Sequence, residues 1–89
     1  MTRRFSITVR GRVQGVFFRW SAKEQAERLG LSGFISNEPD GTVRIEVQGE
    51  NGALAGFMDW CKTGPRMADV DKLESDSIEP VAEKGFSVR

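Results

Sequence analysis

From residue 5 to residue 13 apolar and polar side chains alternate. Phe5, Ile7, Val9 and Val13 fall on one side, and Ser6, Thr8, Arg10 and Arg12 on the other. A period of two belongs to a strand with one buried face. The period then lengthens: Phe18, Ala22, Ala26 and Leu29 make one stripe of a helix, with Gly30 as its stop. Its start has two readings. Ser21 with Glu24 three residues on forms a capping box, which leaves Arg19 just outside the helix. Under either reading the amides near residues 15–20 point the same way. Leu31 to Asn37 is predicted as a second strand, Glu38-Pro39-Asp40-Gly41 as a turn, and Thr42 to Gly49, alternating at Val43, Ile45 and Val47, as a third strand completing a hairpin. Asn51 is suited to cap a second helix through about Lys62, with Leu54, Phe57, Met58 and Cys61 as its apolar stripe and Gly64-Pro65 as its end. Residues around Val70 to Ile78 alternate weakly, and Phe86-Ser87-Val88 can add a short last strand.

The order β-α-β-β-α-β is the split βαβ pattern of a ferredoxin-like fold. It predicts an α+β two-layer sandwich, an antiparallel sheet with two helices on one face, formed by residues 1–89 as a single domain. A helix returns the chain between the first two strands, so they run the same way and end at the same edge of the sheet. That places Asn37, at the end of the second strand, beside the turn that follows the first.

That turn is Gly11-Arg12-Val13-Gln14-Gly15-Val16-Phe17-Phe18-Arg19. A helix start leaves N–H groups without partners and carries the positive end of the helix dipole. Glycine opens backbone conformations closed to other residues, and arginine adds a planar, permanently charged fork suited to phosphate. Together they predict an anion cradle, best matched to a phosphoryl group. Gly15 sits in the turn itself, whereas Gly11 has the simpler role of relieving crowding at a strand end. The Gln14 side chain has two roles open to it, contact with the bound group or bracing of the loop.

Composition narrows the chemistry. The 89 residues carry 13 basic and 13 acidic side chains, a balance that argues against a nucleic-acid or membrane-surface binder. There is no histidine and no tyrosine, which removes Ser-His-Asp and Cys-His catalysis, a phosphohistidine and the commonest metal ligand. The lone Cys61 excludes an internal disulfide and reads as a core residue. No apolar run is long enough to span a membrane and no signal-peptide core precedes residue 10, so a cytoplasmic monomer is expected. The turn lacks the lysine-serine pair of a Walker loop, and Asp69, Asp71, Glu74 and Asp76 fail the calcium-loop pattern because its turn glycine is replaced by Glu74 and its twelfth position is Pro80. Phe17 and Phe18 do not reproduce the aromatic stripe of an RNA-binding domain; Phe18 reads as a core anchor.

The stretches Gly11-Arg-Val-Gln-Gly-Val-Phe-Phe-Arg19 and Gly33-Phe-Ile-Ser-Asn37-Glu-Pro-Asp-Gly41-Thr-Val43, with Gly64-Pro65 before the fourth strand, resemble the signature stretches of the acylphosphatase family. The resemblance covers nearly the whole chain. It implies a ferredoxin-like fold and hydrolysis of the carboxyl–phosphate bond of small acyl phosphates, with no cofactor and no metal. Carried onto these positions, it makes Arg19 the phosphate-binding residue, Asn37 the residue that positions the attacking water, and the backbone of Gln14, Gly15, Val16, Phe17, Phe18 and Arg19 the phosphate loop. Ser36 and Glu38 stand where many relatives have basic or apolar residues, and an acidic Glu38 is expected to weaken attraction of an anion. Phe17 is bulky within the loop itself, and the chain ends in Arg89 without the aromatic residue common near the family's C-terminus.

Residue chemistry leads to the same reaction. An acyl phosphate expels a carboxylate whose conjugate acid has a pKa of ~4, so no protein acid is needed. A phosphate ester expels a far more basic alkoxide, which usually demands an acid or a metal. The rival readings are a binding or regulatory module that keeps the cradle without catalysis, and a domain of a larger carbamoyl-transfer enzyme. An RNA-binding domain is disfavoured by the neutral charge.

Overall fold

The computed structural model describes all 89 residues. Its elements are β1 (Arg3–Arg12), α1 (Phe18–Arg28), β2 (Ser32–Asn37), β3 (Val43–Gly49), α2 (Asn51–Cys61), β4 (Asp69–Ile78) and β5 (Phe86–Val88). The strands form one sheet in the order β4-β1-β3-β2-β5. The first four pair antiparallel, as the sequence predicts. β5 adds to the edge at β2 in parallel, with Gly33 opposite Phe86, so the whole sheet is mixed.

Both helices pack over one face. Ile7, Val9 and Val13 from the first strand and its end join Phe18, Ala22 and Ala26 of α1, and Leu54, Phe57 and Cys61 of α2, in a single buried cluster. The opposite face is polar and is crossed by the segment linking β4 to β5. Arg4, only 3% exposed, lies beneath that segment. It donates to Glu46 at 3.0 Å and to Glu83 at 2.8 Å, while Gln48 exchanges two hydrogen bonds with the backbone of Val81.

The structure decides one reading left open, corrects a second and explains a third. α1 starts at Phe18, not at a Ser21 cap, so Arg19 lies in its first turn. The reason is packing: Phe18 is 1% exposed, with its ring 5.4 Å from that of Trp60, and burying it fixes the helix start one turn earlier. The other end is as predicted, with Gly30 at φ 71° and amides of Gly30 and Leu31 donating to the carbonyls of Glu27 and Ala26. For α2 the flanking residue is Glu50, in an extended conformation and without a side-chain cap, so Asn51 is the first helical residue and caps nothing. In β4 the pairing with β1 slips between Arg10 and Gly11 and leaves Asp71 unpaired. This bulge lets Val70 and Leu73, three residues apart, both reach the core, which explains the weak alternation of the segment. It also fixes Gly11, where a Cβ atom would stand 2.2 Å from the Asp69 carbonyl oxygen.

Candidate active site

β1 and β2 flank β3, and Val43 pairs with Val9 on one side and Asn37 on the other. Asn37 is therefore two strand spacings, about 10 Å, from Val9, three residues before the end of β1. Between them the chain leaves the sheet at Val13 and enters α1 at Phe18. Gly15 takes φ 72° and Phe17 φ 63°, and Phe17 is the only non-glycine residue with positive φ. These two left-handed residues curl the backbone tightly. None of the amides of residues 14–20 donates to another group of the protein; the first in the series that does is Ser21, to the Phe17 carbonyl at 3.1 Å. A run of free N–H groups thus meets the N-terminal end of a helix, where the dipole favours negative charge.

The loop borders a cleft of about 250 Å³ lined by Val13, Gly15, Phe17, Phe18, Arg19, Trp20 and Asn37. The structure thus brings Arg19 and Asn37 into one depression. Val16, by contrast, is turned into the core at 3% exposure. The Gln14 side chain braces: its amide nitrogen donates to the carbonyls of Glu38 at 2.8 Å and Thr42 at 2.9 Å. These bonds tie the loop to the β2–β3 turn and so set the distance from the loop to Asn37. The turn is itself stiffened by Asp40, whose carboxylate accepts from the hydroxyl and the amide of Thr42. Those bonds hold the Asp40 carboxyl below the usual carboxylate range. Glu38 does not line the cleft. Its carboxylate accepts from the Ser36 hydroxyl at 3.1 Å and borders a separate groove with Arg10, Asp40 and Arg44.

Arg19 is held by a residue that sequence reasoning missed. Its guanidinium donates to the main-chain oxygen of Arg89 at 2.8 Å. Arg89 is in turn fixed by its amide, which donates to the Ile35 carbonyl at 2.8 Å, and by its own guanidinium, 3.9 Å above the Phe34 ring. No spacing rule reaches across the 70 residues between Arg19 and Arg89. At Asn37 the side-chain Oδ1 is buried without a hydrogen-bond partner. Such an acceptor costs about 1–3 kcal/mol unless a donor reaches it, which marks it as a candidate functional position.

The family profile described as Acylphosphatase matches residues 5–88. The chain belongs to the acylphosphatase family. The acylphosphatase of Nocardioides sp. is 47% identical over 83 residues, covering 93% of this chain and 84% of that protein. Among solved structures, an acylphosphatase from Bacillus subtilis superposes with a TM-score of 0.94 at 31% identity, covering 100% of this chain and 99% of the other. One from Coxiella burnetii gives 0.95 at 34% identity, covering 99% and 93%.

Proposed function

We propose that this acylphosphatase hydrolyses acyl phosphates in its loop-and-helix cleft, with Arg19 and Asn37 as its catalytic side chains. The amides of Gln14, Gly15, Val16, Phe17, Phe18 and Arg19 and the Arg19 guanidinium grip the three non-bridging oxygens of the phosphoryl group. The Asn37 carboxamide turns about its terminal torsion, which has a broad two-fold preference, to present Oδ1 to a water. That water attacks phosphorus in line with the leaving carboxylate. A P–O bond to the water oxygen forms as the P–O bond to the acyl oxygen breaks. The carboxylate leaves with the electron pair, and the water proton passes to a phosphoryl oxygen, giving inorganic phosphate. Positioning and charge stabilisation supply the catalysis, and the leaving group needs no protonation.

The reading is carried by one observation: the unpartnered amides of residues 14–20 adjoin the same cleft as Arg19 and Asn37. The test is phosphate release from acetyl phosphate against p-nitrophenyl phosphate, with and without a chelator. Turnover of acetyl phosphate alone, unchanged by EDTA, is expected; hydrolysis of the ester or loss of activity in EDTA would overturn it. We further read residues 1–89 as one domain around its single core, acting as a cytoplasmic monomer. A lone buried Cys61 thiol suits a reducing compartment, and no helix is long and apolar enough to cross a membrane. Sedimentation at the monomer mass checks the oligomeric part.

A further inference from the structure

Two aromatic side chains at the cleft are not used by the chemistry above. Phe17 is 72% exposed and Trp20 60% exposed, and both line the cleft with Arg19 and Asn37. The other large exposed apolar residues, Met1, Met67 and Val81, lie elsewhere. The remaining aromatics have structural work: Phe18, Phe57 and Phe86 are buried, Trp60 packs on Phe18 and Phe57, and Phe5 and Phe34 sit under Arg3 and Arg89. Phe17 stands out further because φ 63° is a conformation that a glycine adopts freely and a bulky side chain resists. Its ring adds little to the core to offset that strain.

We propose that Phe17 and Trp20 form the acyl-group subsite, so that the enzyme prefers acyl phosphates with an aromatic or bulky apolar acyl group over those with a small one. This deepens the reading above and rests on it. With the phosphoryl group held by the loop and Arg19, the acyl group extends into the part of the cleft these two rings border. An aromatic acyl group gains apolar burial and offset or edge-to-face stacking there. An acetyl group offers too little surface to reach the rings.

The experiment compares kcat/KM for benzoyl phosphate and acetyl phosphate in the wild type, Trp20→Ala and Trp20→Phe. Wild-type preference for benzoyl phosphate of about 10-fold or more is expected from ring burial and stacking. In Trp20→Ala the ratio of the two constants drops about 5-fold or more, and in Trp20→Phe it stays near wild type, because the aromatic face is kept. The intrinsic difference between the two leaving groups cancels when variants are compared. A variant that merely perturbs the helix lowers both constants together and leaves the ratio unmoved. An unmoved ratio in Trp20→Ala, or no wild-type preference, overturns the subsite while leaving the hydrolase reading intact. Failure of the wild type to hydrolyse either compound overturns both.

Discussion

Arg19 stands in the first turn of α1 with its guanidinium anchored on the main-chain oxygen of Arg89. Arg19→Ala is expected to lose at least about 3 kcal/mol of transition-state stabilisation, a drop of about 100-fold or more in kcat/KM. Arg19→Lys is expected to fail nearly as badly, since a point charge cannot supply the planar fork. Activity near wild type in either variant removes Arg19 from the mechanism. Asn37 is assigned to water rather than phosphate, so Asn37→Ala should abolish turnover while competitive inhibition by phosphate stays close to wild type. A collapse of phosphate affinity would reassign it as a phosphate ligand. Cys61 marks the opposite kind of residue. Burial pushes its thiol up, far above the range in which a thiolate forms at neutral pH. Native protein is therefore expected to resist iodoacetamide at pH ~8, a typical free-thiol pKa being ~8.5, and to react once denatured. Both residue types were legible in the sequence, Arg19 from its place in the turn and Cys61 from its helical face. The Arg89 anchor was not, because a main-chain oxygen acting across the fold leaves no residue signature.

The elements that matter most are the loop between β1 and α1 and the hairpin turn between β2 and β3. Gln14 joins them through two carbonyls. Gln14→Ala removes both bonds and leaves Asn37 less firmly placed against the loop. A stability loss of about 1–2 kcal/mol is expected from the two bonds in denaturant unfolding, with kcat falling more than phosphate affinity, since the bonds set the loop-to-Asn37 distance. Equal losses in both would show that Gln14 shapes the loop alone. The sequence located these elements well: six of the seven are predicted within about two residues of their observed ends, which is ordinary precision for element boundaries. It left the α1 start open between two readings, which burial of Phe18 decides against the capping signal, and it erred at Asn51, where the backbone of Glu50 took the cap position. Capping preferences are worth about 1 kcal/mol, and burying a phenylalanine ring about 1.5–3. Burial of the ring, the stronger of the two, decided where α1 begins.

Across the whole molecule, the face away from the helices is closed by charge rather than by apolar packing. Burial disfavours the charge on Arg4, and the Glu83 and Glu46 carboxylates more than offset it, so its guanidinium is held even more firmly protonated than usual. Arg4→Met strands those carboxylates and the Gln48 oxygen. A loss of about 2–3 kcal/mol is expected, with faster hydrogen exchange in residues 79–85, the segment that Glu83 and Val81 pin down. Acid should act on the exposed carboxylates. Asp40 is held down by Thr42, and Glu74 by Arg10. A depressed carboxyl contributes stability that is complete above its unfolded pKa of ~4 and fades as pH falls through the lower folded value. Unfolding free energy is thus expected to fall below pH ~4, and Glu74→Gln to make that fall shallower. By itself the sequence determined the strand and helix periods, the order of elements and the nine-residue turn, because periodicity and turn chemistry are local and are written in neighbouring residues. Only the tertiary structure decided the parallel fifth strand, the β4 bulge, the role of Gln14, the hold of Arg89 on Arg19 and the aromatic border of the cleft. Each of these depends on contacts between residues far apart in the chain, whose energies are settled only when the whole core packs at once.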